Sequence, residues 1–302
     1  MENEERYKHL NKHLKEKFGE RTLKICIDGG FTCPNRDGLI STSGCIFCSE
    51  KGSGDLIKYN ANISQQIYDY FSSYRSKRAN KFIAYFQNFT NTYDTVKNLK
   101  SKYDAALIDK RIVGLEIATR PDCITEEIVK LLKSYTNKYY VCVELGLQTS
   151  NDSTGKLINR GYTSNQYTKA VELLNKYNID IVTHIMIGLP NEKLDDVKNT
   201  INFINNHNIQ GIKIHSTYVI KNTILADMYF NGKYEPISLE YYLDTLTYVI
   251  THISPNIVIH RITGDAPKDL LIAPKWNLHK KWVLNGFDKI LKEQNLWQGK
   301  YY

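Results

Sequence analysis

No stretch of the 302-residue chain reaches the roughly 18 consecutive apolar residues that a membrane-spanning helix needs, so no membrane partner is expected. Met1 to Phe18 is charged and has no apolar core of the kind a secretory leader carries, which makes a cytoplasmic location the expectation. Internal repeats and low-complexity tracts are also missing, which argues against solenoids and disordered arrays. Excess charge is modest: a formal +8 permits a polyanionic partner without requiring one. Cysteine is sparse, six in all, and three of the six fall in one loop. In a non-secreted chain that distribution argues for reduced thiols and a metal, not a disulfide framework. Tryptophan is sparser still. Trp276, Trp282 and Trp297 are the only three, and they share the stretch from Lys275 to Tyr302 with six lysines and only Asp288 and Glu293 in opposition. Lysines interleaved with aromatics suit a phosphate backbone and its bases. A terminal amphipathic helix burying a tryptophan and leucine face explains the same residues.

What the chain does have is a regular alternation of apolar runs and helical-period segments, the pattern of a parallel sheet with crossover helices. Strands are predicted at Leu23–Ile27, Phe82–Phe86, Ile112–Ala118, Tyr140–Leu147, Ile181–Ile187 and Gly211–His215. Helical spacing separates them, as in Ile124, Ile128, Leu131, Leu132 and Tyr135. Six such units are too few for a closed eight-stranded barrel. The expected class is α/β, a partial (β/α)6 barrel with an N-terminal helix and a helical C-terminal extension. The expected division is residues 1–20, 21–220 and 221–302. A helix near Leu239 to Ile250 and a further strand at Ile257 to Ile262 are expected within the extension.

Cys33-Pro34-Asn35-Arg36-Asp37-Gly38, followed by Gly44-Cys45-Ile46-Phe47-Cys48, gathers three thiols directly after the first predicted strand. A structural zinc site takes four protein ligands, whereas a cluster held by three thiolates leaves one iron open. Cys26 or a distant His could complete a zinc knuckle, but Cys26 falls on the strand and reads better as a buried thiol. Cys123 and Cys142 read as small core residues. With Cys33, the hexapeptide and Phe47 taken together, the loop resembles the cluster loop of the radical SAM superfamily. The long first spacing and Phe47 are similar to the branch holding the elongator catalytic subunit and the YhcC-like proteins. Arg261-Ile262-Thr263-Gly264-Asp265-Ala266-Pro267 resembles the YhcC-like proteins in particular.

That resemblance implies a 4Fe–4S cluster on Cys33, Cys45 and Cys48, with S-adenosylmethionine chelated to its open iron. In (β/α) barrels the chemistry collects at the C-terminal strand ends. Gln87 opens an Asn- and Thr-rich segment there, suited either to the methionine ammonium or to capping the next helix. Arg120, at the mouth, could fork onto a carboxylate. Glu144, Gly146 and Gln148 share one face by strand alternation, and the resemblance turns that face toward the cofactor's ribose and carboxylate. Arg160 is similar to the family's Arg-Gly-His-Thr, with Tyr162 in place of the His; a surface Arg ahead of a helix is the alternative. Gly188 belongs to a segment resembling the one beneath adenine. Lys213 and His215 share a face of the sixth strand, and would meet substrate if that face is the lumen. His184 reads as a core histidine.

The expected activity is therefore reductive cleavage of S-adenosylmethionine to a 5′-deoxyadenosyl radical, fed by an external flavodoxin- or ferredoxin-type electron donor. By resemblance to the elongator subunit, tRNA wobble-uridine modification is the candidate reaction. A small-molecule or protein substrate, and a zinc-stabilised non-catalytic RNA-binding protein, are the alternatives.

Overall fold

A computed structural model describes residues 5–52 and 62–302. Helix α1 (Leu10–Phe18) leads into β1 (Thr22–Ile27), and a repeating strand–helix pattern follows. Its members are α2 (Ile63–Ser72), β2 (Lys81–Phe86), α3 (Val96–Ala106) and β3 (Ile112–Thr119). Then come α4 (Glu126–Tyr135), β4 (Tyr140–Gln148), α5 (Asp152–Leu157) and α6 (Ser164–Lys176). The repeat ends with β5 (Asp180–Ile187), α7 (Leu194–Asn205) and β6 (Gly211–Ser216). All six expected strands form, each within a residue of its predicted ends.

Residues 217–302 add β7 (Val219–Ile220), α8 (Ile224–Phe230), α9 (Leu239–His252), β8 (Val258–Arg261), β9 (Leu271–Ala273) and α10 (Lys280–Glu293). Strand β8 pairs in parallel with β6, so the main sheet has seven strands in the order β1-β2-β3-β4-β5-β6-β8. The six-strand expectation is thus extended by one strand, the one expected at Ile257 to Ile262.

Strand alternation divides the sheet into two chemically different faces. Phe82, Ala84 and Phe86 of β2, and Val141, Val143, Leu145 and Leu147 of β4, join the main apolar core. Helices bury their stripes on that face: α4 contributes Ile128, Val129, Leu131, Leu132 and Tyr135, and starts at the Thr125 cap. The opposite face carries Lys24, Tyr85, Glu116, Glu144, His184, Lys213 and His260. In a flat sheet β2 and β6 would stand about 19 Å apart, four spacings of roughly 4.8 Å. Lys213 Nζ nonetheless lies 3.1 Å from Tyr85 Oη, so the sheet curls until its polar face encloses a lumen.

A second, smaller core joins Ile46 of the cysteine loop to Ile158, Leu189, Val219, Leu225 and Tyr234, with Phe47 packed beside it. Leu225 N donates to Ile46 O at 2.9 Å, so the C-terminal segment buttresses the cysteine loop from outside the barrel. At the far end, α10 buries Val283, Phe287 and Leu291. Of the tryptophans only Trp276 is buried; Trp282 and Trp297 remain 55% and 46% exposed. Among the described residues no helix is long and apolar enough to cross a membrane.

Candidate cofactor centre and barrel lumen

The cysteine loop follows β1 at the C-terminal rim, and its own backbone closes it. Arg36 N and Asp37 N donate to Cys33 O at 2.8 and 3.1 Å, Gly44 N to Asn35 O at 2.7 Å, and Cys48 N to Cys45 O at 3.0 Å. Gly44 has φ +71°, and a Cβ there would stand 2.9 Å from Arg36 Nε, so both conformation and space require glycine. Arg36 clamps the far end, its Nη2 donating to Cys48 O at 3.1 Å and Ser49 O at 2.5 Å. Asn35 Nδ2 donates to Asn159 O at 2.6 Å, and Asn159 Nδ2 to Gly44 O at 2.6 Å, tying the loop to the segment after α5.

The donor set fits a cluster better than a single ion. Cys45 and Cys48 are hydrogen-bonded neighbours, and that bond, followed by burial, pushes the Cys45 thiol well above the usual range in the metal-free chain. Among the described residues, only Glu116, Glu144 and His260 bring three ligand atoms within 4.8 Å of one another; the thiols form no such group. A cluster spreads its thiolates over separate irons, while one zinc would draw them together with a fourth ligand. Cys123 lies near Cys33, but burial pushes its thiol up to about 12 and keeps it protonated. Cys26 departs from expectation: on the polar face of β1, its side chain is exposed, not buried in the core.

Several of the expected cofactor contacts converge beside this loop. Gln148 takes φ +59°, and Tyr162 Oη lies 2.8 Å from both Gly146 O and Gln148 Oε1. Gln148 Nε2 keeps no hydrogen bond among the described residues. Arg120 forks onto a carboxylate of its own chain: Nε and Nη2 donate to Asp122 at 3.0 and 2.8 Å, while Nη1 donates to Arg160 O at 2.9 Å. Arg160 is fully buried, not a surface residue. Its Nε donates to Tyr162 O, Nη1 to Leu147 O and Thr149 O, and Nη2 to Asp152, an arrangement that braces the end of β4. Gln87 sits at the end of β2 with its N–H directed to Ile27 O at 3.4 Å. Behind it Asn91 Nδ2 donates to Ala118 O at 2.8 Å, so part of the Asn- and Thr-rich segment is structural. Gly188, at φ +86°, accepts from Tyr234 Oη at 2.7 Å, and Ile237 closes over it.

Glu144 lies lower, at the centre of a buried charge lattice. Its carboxylate meets the ammonium of Lys213, Lys24 at 3.3 Å, His184 Nε2 at 2.8 Å and Tyr85 Oη at 2.5 Å. Against the cost of burial, Lys213 and Lys24 hold it well below the usual carboxylate range. Glu116 pairs with Lys24 at 2.5 Å, yet burial, and after it the Glu144 charge, push it up to about 8. Two adjacent carboxylates share one proton: Glu144, with more cationic partners, keeps the charge and Glu116 the proton. These two with His260 could bracket one cation, but the two ammoniums already satisfy the carboxylates. Lys213 and His215 do face this lumen, Lys213 against Glu144 and Tyr85 and His215 against the His184 ring. His184 is a lumen residue as well, not a core histidine. Lys24, Tyr85, Glu116 and His260 were not expected there, although each interrupts an apolar strand on its polar parity.

Residues 33–204 match the model of the radical SAM superfamily, and residues 209–293 match the radical SAM C-terminal domain. An uncharacterised protein of Bacillus subtilis, YtqA, is 40% identical over 99% of this chain and 94% of its own length. The Escherichia coli protein YhcC is 33% identical over 94% and 91%. Among solved structures, Elp3 from the archaeon Methanocaldococcus infernus superposes with a TM-score of 0.71 at 19% identity. That match covers 92% of this chain and 64% of the archaeal one.

Proposed function

The chain belongs to the radical SAM superfamily, and we propose that its substrate is a tRNA, modified on the side chain of a wobble uridine. Its cofactors are a 4Fe–4S cluster and S-adenosylmethionine. When bound, they supply one-electron reductive chemistry that yields a carbon-centred radical able to take hydrogen from an unactivated carbon. Cys33, Cys45 and Cys48 hold the cluster, in a loop kept open by Gly44 and clamped by Arg36. Gln148 offers its free amide N–H groups to the nucleoside and amino-acid portions of S-adenosylmethionine, and Tyr162 fixes its orientation. Arg120 and Arg160 hold the loops around that site in register. Lys213 and His215 meet the substrate from the lumen wall. An electron donor of flavodoxin or ferredoxin type reaches the cluster from outside.

The observation that carries the RNA reading is the surface of α10. His279 and Trp282 stack with ring centroids 4.0 Å apart and an interplanar angle of 17°, and Trp282 is 55% exposed. Lys280 and Lys281 adjoin that stack. An exposed aromatic platform flanked by ammoniums suits a base together with its phosphates. The test is a mass-spectrometric comparison of modified nucleosides in total tRNA from cells with and without the gene. Loss of one wobble modification, restored by the wild-type gene but not by Cys45→Ala, is expected. An unchanged nucleoside profile rejects tRNA and leaves a small molecule or a protein as the substrate.

A further inference from the structure

Among the described residues three imidazoles line the lumen, and only one is arranged as an acid–base group. His260 Nδ1 stands 3.9 Å from Glu116 Oε1 and makes no hydrogen bond. His215 Nε2 is likewise buried without a partner. Burial holds both rings well below the usual imidazole range, so both stay neutral. His184 is different. Its Nε2 lies 2.8 Å from Glu144 Oε2, and an ionised carboxylate can only accept, so Nε2 carries the proton. The lone pair then falls on Nδ1, which has no partner among the described residues. The ring keeps 22% of its side-chain surface exposed, against none for Glu144. Across β4 its neighbour is Gly146, which presents no side chain to crowd it.

We propose that His184, held in one tautomer by Glu144, is the proton-transfer residue of the lumen, taking a proton from a substrate O–H or N–H next to the carbon that loses hydrogen. The inference rests on the radical-enzyme reading and not on tRNA as substrate. In this step Nδ1 gains a proton and becomes part of an imidazolium. The substrate heteroatom keeps the bonding pair, and no electron changes hands at the histidine. The chemical class selected is a carbon bearing a hydroxyl or amino group, or a carbon beside a ring N–H. Carboxylate-oriented imidazoles serve as bases because the partner both fixes the tautomer and stabilises the imidazolium that forms. Here Glu144 is the positioning residue. The charged and titratable groups around His184 are Glu144 from β4, Lys213 and His215 from β6, and His260 and Arg261 from β8, while Tyr85 from β2 and Lys24 from β1 share the Glu144 carboxylate with it. Burial, with Lys213 and Arg261, outweighs Glu144 and lowers His184 from 6.5, leaving it neutral and able to accept a proton at neutral pH.

The experiment uses full-length, cluster-loaded protein and diethyl pyrocarbonate, which acylates neutral imidazole nitrogen, with peptide mass spectrometry to locate the adduct. His184 should react at least about tenfold faster than His215 and His260, and its rate should fall as pH drops through a value below 6.5. Glu144→Gln should move that profile to lower pH. In single turnovers of tRNA from gene-deleted cells, His184→Gln should retain its iron, slow about 10²–10⁴-fold and lose the acid limb of the rate profile. A His184 that resists acylation, or an acid limb that survives in His184→Gln, overturns the proposal. If wild-type protein does not turn over tRNA, the substrate reading fails by itself, and the acylation profile still decides whether His184 is the accessible base.

Discussion

The two lumen carboxylates should respond in opposite ways to the same chemical change. Glu144→Gln keeps the shape but removes the one ionised carboxylate from between Lys213 and Lys24. Leaving a buried charge without its counter-ion costs about 3–5 kcal/mol. The lower end applies here, because Glu116 sits 2.5 Å from Lys24 and can ionise in Glu144's place. A loss of about 3 kcal/mol in a chain of this size lowers the melting temperature on the order of 6 °C. Glu116→Gln removes a carboxyl that is already protonated and keeps an oxygen for Lys24, so it should cost about 1 kcal/mol or less.

Their pH dependence separates them further. The folded-state value of Glu116 is raised from 4.5 to about 8. Its contribution is therefore complete below 4.5 and is lost as pH rises through 8, because the unfolded chain releases that proton first. Glu144, being depressed, contributes above the ordinary carboxylate range and loses that contribution as pH falls through its lowered value. Denaturant unfolding of anaerobic full-length protein at pH 6 and pH 8 is the assay. Glu116→Gln should gain on wild type between the two pH values, and Glu144→Gln should be the weaker protein at both. Equal losses, or a Glu116→Gln variant that falls further behind wild type at pH 8, would refute the one-proton lattice.

Substituting Cys33, Cys45 or Cys48 with Ala should abolish most iron and the reduced-cluster paramagnetic signal, while Cys26→Ala, Cys123→Ala and Cys142→Ala keep both. Full iron in Cys45→Ala, or its loss in Cys26→Ala, would reassign the ligands. Gln148→Ala should weaken S-adenosylmethionine binding roughly tenfold to a hundredfold, the worth of a charge-assisted hydrogen bond of about 1.5–3 kcal/mol, with iron content intact; calorimetric titration reads it, and an unchanged dissociation constant removes Gln148 from the site. Replacing Lys280 and Lys281 together by Ala should flatten the salt dependence of tRNA binding by about two counterions in a filter assay. Among the described residues Lys280 pairs only with Asp265, at 3.1 Å and nearly half exposed, so the fold should survive, and identical slopes would take this surface out of RNA recognition.

The six barrel strands were legible because each is a β-rich run whose outward residues must be apolar to meet a helix. Strand β8 was harder to assign, since four residues carry little periodicity and only pairing with β6 makes them a strand. The cysteine loop was legible because its chemistry is local: three thiols, two glycines and an arginine within 16 positions, counted from Cys33 to Cys48. The lumen was not. Lys24, Glu116 and His260 each read as the polar side of an amphipathic strand, which in a flat sheet faces water. What converts them to a buried lattice is curl, and curl emerges only when β8 swings round until His260 comes within 3.9 Å of Glu116, four strands away in the sheet order. The same geometry changes His184 from filler into a held base. Its carboxylate lies on the neighbouring strand, and that carboxylate stays ionised only because ammoniums from β1 and β6 reach it across the lumen. Parity along each strand was enough to collect these residues on one face. Knowing that the face is concave is what turns that collection into a chemical site.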